Sequence, residues 1–465
     1  MKYLTLGVLV SAALVATPVA QIAPRQVSVI VAGGTVVTVD GARNIYNPGA
    51  VAIDGTTIVA VGSSADIAAR FTAAEQINAV GSVVIPGLIN AHSHAPMVLY
   101  RGLADDLGLQ EWLEKYIFPA EAKTVTREMV RAGTRLAALE MIQSGTTAYA
   151  DMYYFEEEIA RVTKAAGMRG VLGETIIQFP VPDAKTPQEG LARAEAFIKE
   201  FEKDELIVPA VAPHSPYTLD AKSLLASRAL ATKYGVPVLI HVAENEAELK
   251  TSQAAHAGMS PVGYLQSIAF WGPRTVANHG VWVSAADMKI LRSHQVAVSH
   301  NPESNMKLAS GIAPVPEYLA AGVTVALGTD GAASNNDLDM FEAMRFAALL
   351  HKVKTGDPRV IPATVALEMA TMGGARALGL EKQIGSIEAG KRADLVVVSM
   401  GSARQTPLYD PISHLVYATR GDDVRTVMVN GRVLMRDRKM LTLDEPAVLA
   451  EARKFADVVR VAVGK

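Results

Sequence analysis

Residues 83–94 read VVIPGLINAHSH, an apolar run that closes on two histidines two positions apart. Side chains alternate across a strand, so His92 and His94 leave the same side of the strand's end together. The pattern recurs in TTAYADMY (146–153), RGVLGETI (169–176), LIVPAVAPHSP (206–216), PVLIHVAE (237–244), TVANHGV (275–281), QVAVSHNP (295–302) and TVALGTDGA (324–332). Each is a short apolar segment followed by a stretch of helical periodicity, such as TREMVRAGTRLAALEMIQSG at 126–145. Eight such units predict an α/β fold, a (β/α)8 TIM-type barrel over residues 85–384. A doubly wound open sheet would need a glycine-rich phosphate turn after an early strand, and neither G-x-G-x-x-G nor a P-loop occurs.

Outside this span the texture changes. Residues 28–62 are rich in Val, Ile and Thr and broken by Gly, Asn-Pro and Asp-Gly turn signals, as successive antiparallel strands are. The same texture returns in KRADLVVVSM (391–400) and VRTVMVNGRVLMRDRKML (424–441), where Asn430-Gly431 reads as a hairpin turn. Residues 24–84 and 385–465 are therefore expected to build one small β-sandwich domain from both chain ends, with a C-terminal helix.

The first residues, MKYLTLGVLVSAALVATPVA, set a lysine before an apolar run ending in small residues, which reads as a signal peptide over residues 1–23. It predicts an exported protein, periplasmic or secreted; an uncleaved anchor is the alternative, although the run is short for a span. The chain of 465 residues has no cysteine, which rules out a lipoprotein anchor and disulfides. Charged residues make up 20%, the formal net charge is −3, and no basic patch stands out. That balance excludes a general nucleic-acid or membrane-surface binder and leaves a small molecule as the expected partner, with homo-oligomerisation open.

Polar residues collect at the C-terminal ends of the apolar strands, where barrel enzymes carry their active sites. His241 ends the fifth and Asp330 the eighth. With His92 and His94 they form a set of three nitrogens and one oxygen with room for a water, which is what a catalytic zinc site needs. The plain alternative for Asp330 is a helix N-cap. Glu244 follows His241 by three, and His279 ends the sixth strand. His300 and Asn301 are read as supporting or strand-end polar groups and stay outside the catalytic set.

The blocks PGLINAHSHAPMVLYRGLADDL, APHSPYT, HVAE, NHG, SHNPESNMKLASGIAPV and LGTDGAASNNDLDMF resemble the amidohydrolase superfamily. Within it they are similar to the methylthioadenosine/S-adenosylhomocysteine deaminases. The resemblance implies one divalent metal on His92, His94, His241 and Asp330, Zn²⁺ first, with Fe²⁺ or Mn²⁺ as alternatives. It implies Glu244, His279 and Asp330 as catalytic groups, and release of ammonia by metal-hydroxide attack on an aminopurine nucleoside such as methylthioadenosine, adenosine or S-adenosylhomocysteine. Two-metal relatives use a carboxylated lysine ending the fourth strand; VPAVAPHSPY (208–217) offers none, so a single metal is expected.

By the same resemblance Trp112 packs on the substrate, Glu121 binds ribose hydroxyls and His214 reaches the purine. On the residues alone these would be a loop cap, a solvated carboxylate and a structural histidine. Glu174 falls where an arginine would hold the amino-acid carboxylate of S-adenosylhomocysteine, and is expected to disfavour that substrate. Alternatives sharing the metal site are a guanine- or pterin-type deaminase and a triazine hydrolase. A non-catalytic periplasmic binding protein is a further alternative, but it would need neither Glu244 nor His279.

Overall fold

A computed structural model describes residues 1–4, 7–8 and 23–464. The expected leader falls largely outside the described residues. No helix among them is long and apolar enough to cross a membrane.

Eight parallel strands form one sheet in sequential order: β1 (Leu88–Ser93), β2 (Thr146–Tyr153), β3 (Arg169–Ile176), β4 (Ile207–Pro213), β5 (Val238–Val242), β6 (Thr275–His279), β7 (Ala297–His300) and β8 (Val325–Leu327). Parallel strands packed on both faces read as continuous apolar runs, as these do. Small side chains such as Ala91, Ala150, Ala210, Ala212, Ala297 and Ala326 fill the barrel interior. The seam between β8 and β1 has no regular ladder. It is held by the Asp330 amide donating to His92 O at 3.0 Å and by Asn90, whose Oδ1 accepts from Thr329 N at 3.1 Å. Close approach here requires Gly328, since a Cβ would lie 2.6 Å from Asn301 Oδ1 and 2.9 Å from the His92 nitrogen.

The outer layer includes α1 (Arg127–Gln143), α2 (Pro302–Lys307), α3 (Met340–Thr355) and α4 (Glu445–Val463). Thr126 starts α1 by accepting from Met129 N, which satisfies one of the free amides of the first turn.

Both chain ends enter a second sheet of nine strands, in which Ser82–Pro86 pairs antiparallel with Leu395–Ser399. The hairpin predicted at Asn430-Gly431 joins Val424–Val429 to Arg432–Arg436, with positive φ at both turn residues. The first-half strand continues to Pro86, slightly beyond the expected boundary at residue 84.

The C-terminal helix, expected with the small domain, is placed elsewhere. Its apolar stripe of Val448, Ala452 and Val459 is buried. Glu451 accepts from Arg135 of α1 at 2.8 and 2.7 Å, and Glu445 from Gln143 at 3.1 Å. Helix α4 is thus docked on the barrel. Position in the sequence predicts a place beside the small domain, but the side-chain bonds of the helix run to α1.

Candidate active site

The strand ends bring His92, His94, His241, His279 and Asp330 together, as their spacing predicts. One ligand atom each from His92, His94 and Asp330 lie mutually within 4.8 Å, and the same holds for His92, His241 and His279. Asp330 Oδ1 is 3.3 Å from His92 Nε2 and 3.2 Å from His94 Nε2, and His94 Nε2 is 3.2 Å from His241 Nε2.

The outer nitrogens explain the aim of these rings. His94 Nδ1 donates to Met152 O at 2.6 Å and His241 Nδ1 to His214 O at 2.8 Å, so each turns an Nε2 lone pair inward. Burial, aided by the neighbouring imidazoles, holds His241 well below its usual pKa and therefore neutral. Burial alone would raise the Asp330 carboxyl, but the adjacent His92 and His94 rings outweigh it and hold the group well below its usual range. His92 Nε2 is shielded from solvent and has no hydrogen-bond partner. Converging imidazole lone pairs, an orphaned ring nitrogen and an ionised carboxylate fit a divalent cation held by His92, His94, His241 and Asp330.

Asp330 takes no N-cap role. Its backbone has φ +64°, a left-handed conformation that costs a non-glycine residue about 1–3 kcal/mol, and a turn follows it. Ser304 Oγ and Ser334 Oγ donate to its Oδ2 at 2.7 and 2.9 Å, which fixes the carboxylate. His279 Nε2 lies 3.8 Å from Glu244 Oε2 and 4.0 Å from Asp330 Oδ2. The other ring nitrogen, Nδ1, donates to Asn305 Oδ1 at 2.9 Å, leaving Nε2 as an acceptor. Burial pushes the Glu244 carboxyl upward; the neighbouring His279 ring opposes this and Asp330 adds to it. Glu248 anchors the turn that carries it, accepting from Ala243 N at 2.9 Å and Glu244 N at 2.7 Å.

A cavity opens beside this cluster and is lined in part by Trp112, Glu121 and His214. His214 Nδ1 meets Thr218 Oγ1 at 3.1 Å, and burial lowers its pKa to about 3, so the ring is neutral. Tyr153 OH donates to Glu121 Oε1 at 2.6 Å, and burial raises Glu121 to about 7.

Because the folded pKa of Glu121 lies above its ordinary 4.5, the folded chain keeps a proton that the unfolded chain releases. Stability present below about pH 4.5 is lost as pH rises toward 7, by up to about 3 kcal/mol. Glu121→Gln keeps an acceptor for Tyr153, so it should stabilise the protein at pH 8 and much less at pH 5. Urea unfolding at the two pH values measures this, and a pH-independent difference would refute it.

Glu174 does not reach the cavity, contrary to its expected place at the substrate. It is 1% exposed, accepts from Arg193 Nε at 2.6 Å and from Glu156 N at 3.1 Å, and faces the helix layer. Thr175, the next residue, lines the cavity instead. A one-residue slip exchanges the faces of a strand. Ser304, Asn305 and Ser334 were not singled out from sequence. The SHNPESN block marked the region, but no periodicity tells which side chain of the six-residue α2 meets Asp330.

The amidohydrolase family profile matches residues 83–434, and a short match to an imidazolonepropionase-like composite domain of bacteria covers 49–74. The chain is 48% identical over 431 residues to a 5-methylthioadenosine/S-adenosylhomocysteine deaminase of Syntrophobacter fumaroxidans, covering 93% of this chain and 98% of that one. It is 45% identical to a 5'-deoxyadenosine deaminase of Methanosarcina acetivorans, with 92% and 98% covered. A crystal structure of an adenosine deaminase from Xanthomonas campestris with bound zinc superposes with a TM-score of 0.92 at 38% identity, covering 94% of this chain and 100% of that one. On the length of the profile match and on these identities, the chain belongs to the amidohydrolase family.

Proposed function

We propose that the protein is a metal-dependent deaminase that releases ammonia from adenine nucleosides whose 5′ position carries no negative charge, such as methylthioadenosine, 5′-deoxyadenosine or adenosine. The observation that carries the reading is the cavity wall. Leu109, Trp112, Leu113, Ile117 and Phe118 give it an apolar side, Glu121, Glu244 and Asp330 are its carboxylates, and no lysine or arginine among the described residues lines it. A thioether, methyl or hydroxyl fits such a wall. The carboxylate of S-adenosylhomocysteine would meet no counter-charge.

His92, His94, His241 and Asp330 would hold one zinc ion, the metal bound by the Xanthomonas relative. When bound, the ion supplies Lewis acidity, bringing the pKa of a water from 15.7 toward about 7. Asp330 Oδ2 and His279 Nε2 face the same space and accept the water's proton. Glu244, whose carboxyl burial pushes toward the protonated form, donates to a ring nitrogen and makes the amine-bearing carbon electrophilic. The water oxygen adds to that carbon, the proton taken up by Asp330 or His279 passes to the amino group, the C–N bond breaks to release ammonia, and the added hydroxyl returns its proton to Glu244 as the carbonyl forms. Trp112 covers the nucleoside, Glu121 with Tyr153 binds ribose hydroxyls, and neutral His214 bonds the purine. Export is part of the proposal, supported by Lys2 and the apolar run after it.

Zinc-loaded protein tests the reading. An unpaired carboxylate in this cavity should cost about 3 kcal/mol, so kcat/KM for methylthioadenosine is expected to exceed that for S-adenosylhomocysteine by about 10²-fold. Equal values would refute the charge argument. Absence of ammonia from every adenine nucleoside would refute the deaminase reading itself.

A further inference from the structure

A second group of carboxylates lies outside the catalytic cluster. Glu303 on α2, Asp337 in the loop between β8 and α3, and Glu342 in the first turn of α3 each place a carboxylate oxygen within 4.8 Å of the other two. Three acids in proximity are by themselves unremarkable on a protein surface, but Glu303 is not on the surface. It is 7% exposed, both of its oxygens are shut off from solvent, and neither has a hydrogen-bond partner. Other shielded carboxyls here keep one oxygen bonded: Asp151 Oδ1 accepts from Ser93, Glu156 Oε1 from Tyr153 N and Asp183 Oδ2 from Phe155 N. A buried carboxylate with neither oxygen satisfied is costly, and two like charges beside it raise that cost.

The basic side chains Lys307 and Arg101 are engaged elsewhere. Lys307, one turn along α2, bonds Asp105 Oδ1 at 2.6 Å and Asn336 Oδ1 at 2.7 Å, and Arg101 pairs with Glu140. Asp337 spends one oxygen on Asp339 N at 2.9 Å and keeps the other available. Asp339 has both oxygens on backbone amides, Phe341 N and Gly421 N, at 2.9 Å each, so it adds negative field without competing as a ligand.

We propose that Glu303, Asp337 and Glu342 form a cation site, separate from the catalytic centre, that takes a hard divalent ion of the Ca²⁺ or Mg²⁺ type. An all-oxygen set of carboxylates suits such ions and lacks the imidazole and thiolate donors that select zinc. Burial and the charges of Asp337 and Glu342 push the Glu303 carboxyl well above its usual range, so the site must take up either protons or a cation. The ion would tie α2 to the start of α3. Glu303 is followed directly by Ser304, which holds Asp330, and Asn305, which holds His279. A cation on Glu303 therefore fixes the segment that positions both.

Zinc-loaded protein, freed of other ions by gel filtration, is dialysed against ⁴⁵Ca²⁺ and analysed for both metals. The expected result is about one Ca²⁺ per chain in addition to zinc, with a rise in Tm of about 2 °C or more at saturating Ca²⁺. Glu303→Gln and Asp337→Asn should abolish Ca²⁺ uptake and the Tm response while zinc stays bound. Glu342→Gln, at an exposed position, should weaken Ca²⁺ binding at least about 10-fold without touching the buried carboxyl. The proposal is overturned if wild type takes up neither Ca²⁺ nor Mg²⁺ and its Tm ignores both, which would mean that the carboxyls share protons. It is equally overturned if Ca²⁺ binds and all three variants retain it.

Discussion

Glu244→Gln is expected to lower kcat by about 10³-fold or more while zinc content and fold are kept. Glutamine matches glutamate in shape, and Glu248 continues to hold the backbone of the turn through its bonds to Ala243 N and Glu244 N. The amide cannot pass a proton to a ring nitrogen or recover one from the hydroxyl added to the ring. His92, His94, His241 and Asp330 are untouched, so metal analysis should match wild type. This combination separates proton transfer from metal binding, since His241→Ala would lose both. Single-turnover ammonia release with metal quantified in the same sample is the measurement. Near wild-type kcat in Glu244→Gln would sink the assignment of the general acid.

Asp394→Ala is expected to cost about 3–5 kcal/mol of stability, measured by urea unfolding. Arg169, at the start of β3, is 1% exposed. Its Nε donates to Asp394 Oδ2 at 3.0 Å, its Nη2 to Asp394 Oδ1 at 3.3 Å and its Nη1 to Glu205 O at 2.9 Å. Asp394 immediately precedes the strand Leu395–Ser399 of the small sheet and also accepts from Asn430 N at 2.7 Å. The pair thus links the barrel to the hairpin of the second domain. Truncating the acid strands a guanidinium in the interior, and that, more than the lost attraction, sets the size of the effect. Replacing Arg169 by Met together with Asp394→Ala should recover much of the loss, a non-additivity that a double-mutant cycle reads directly. A loss under about 1 kcal/mol in the single variant would show that water reaches the pair.

Much of this was legible before any coordinates. The strand order follows from apolar runs at regular intervals, and the meeting of His92, His94, His241, His279 and Asp330 follows from each closing such a run. Strand ends are readable because alternation fixes a face once one residue is placed. Glu174 shows the limit: the apolar run marks the strand but not its register, and one position separates Glu174, bonded to Arg193, from Thr175 at the cavity. Helix α4 shows another, since neighbours in sequence at the chain's end need not be neighbours in space. Arg169 and Asp394, 225 positions apart, carry no local signal of their partnership.

The seam of the barrel bears on how the chain is made. His92 and His94 come from the first strand, and Asp330 follows the last, so the ligand set is complete only when the ring has closed. A nascent chain halted before Thr324 would carry three of the four ligands and no enclosing wall on that side. On the proposed ligand set, metal acquisition would report the arrival of the final strand, and an ion delivered to a half-built ring would find a weaker and more exchangeable seat than the finished one.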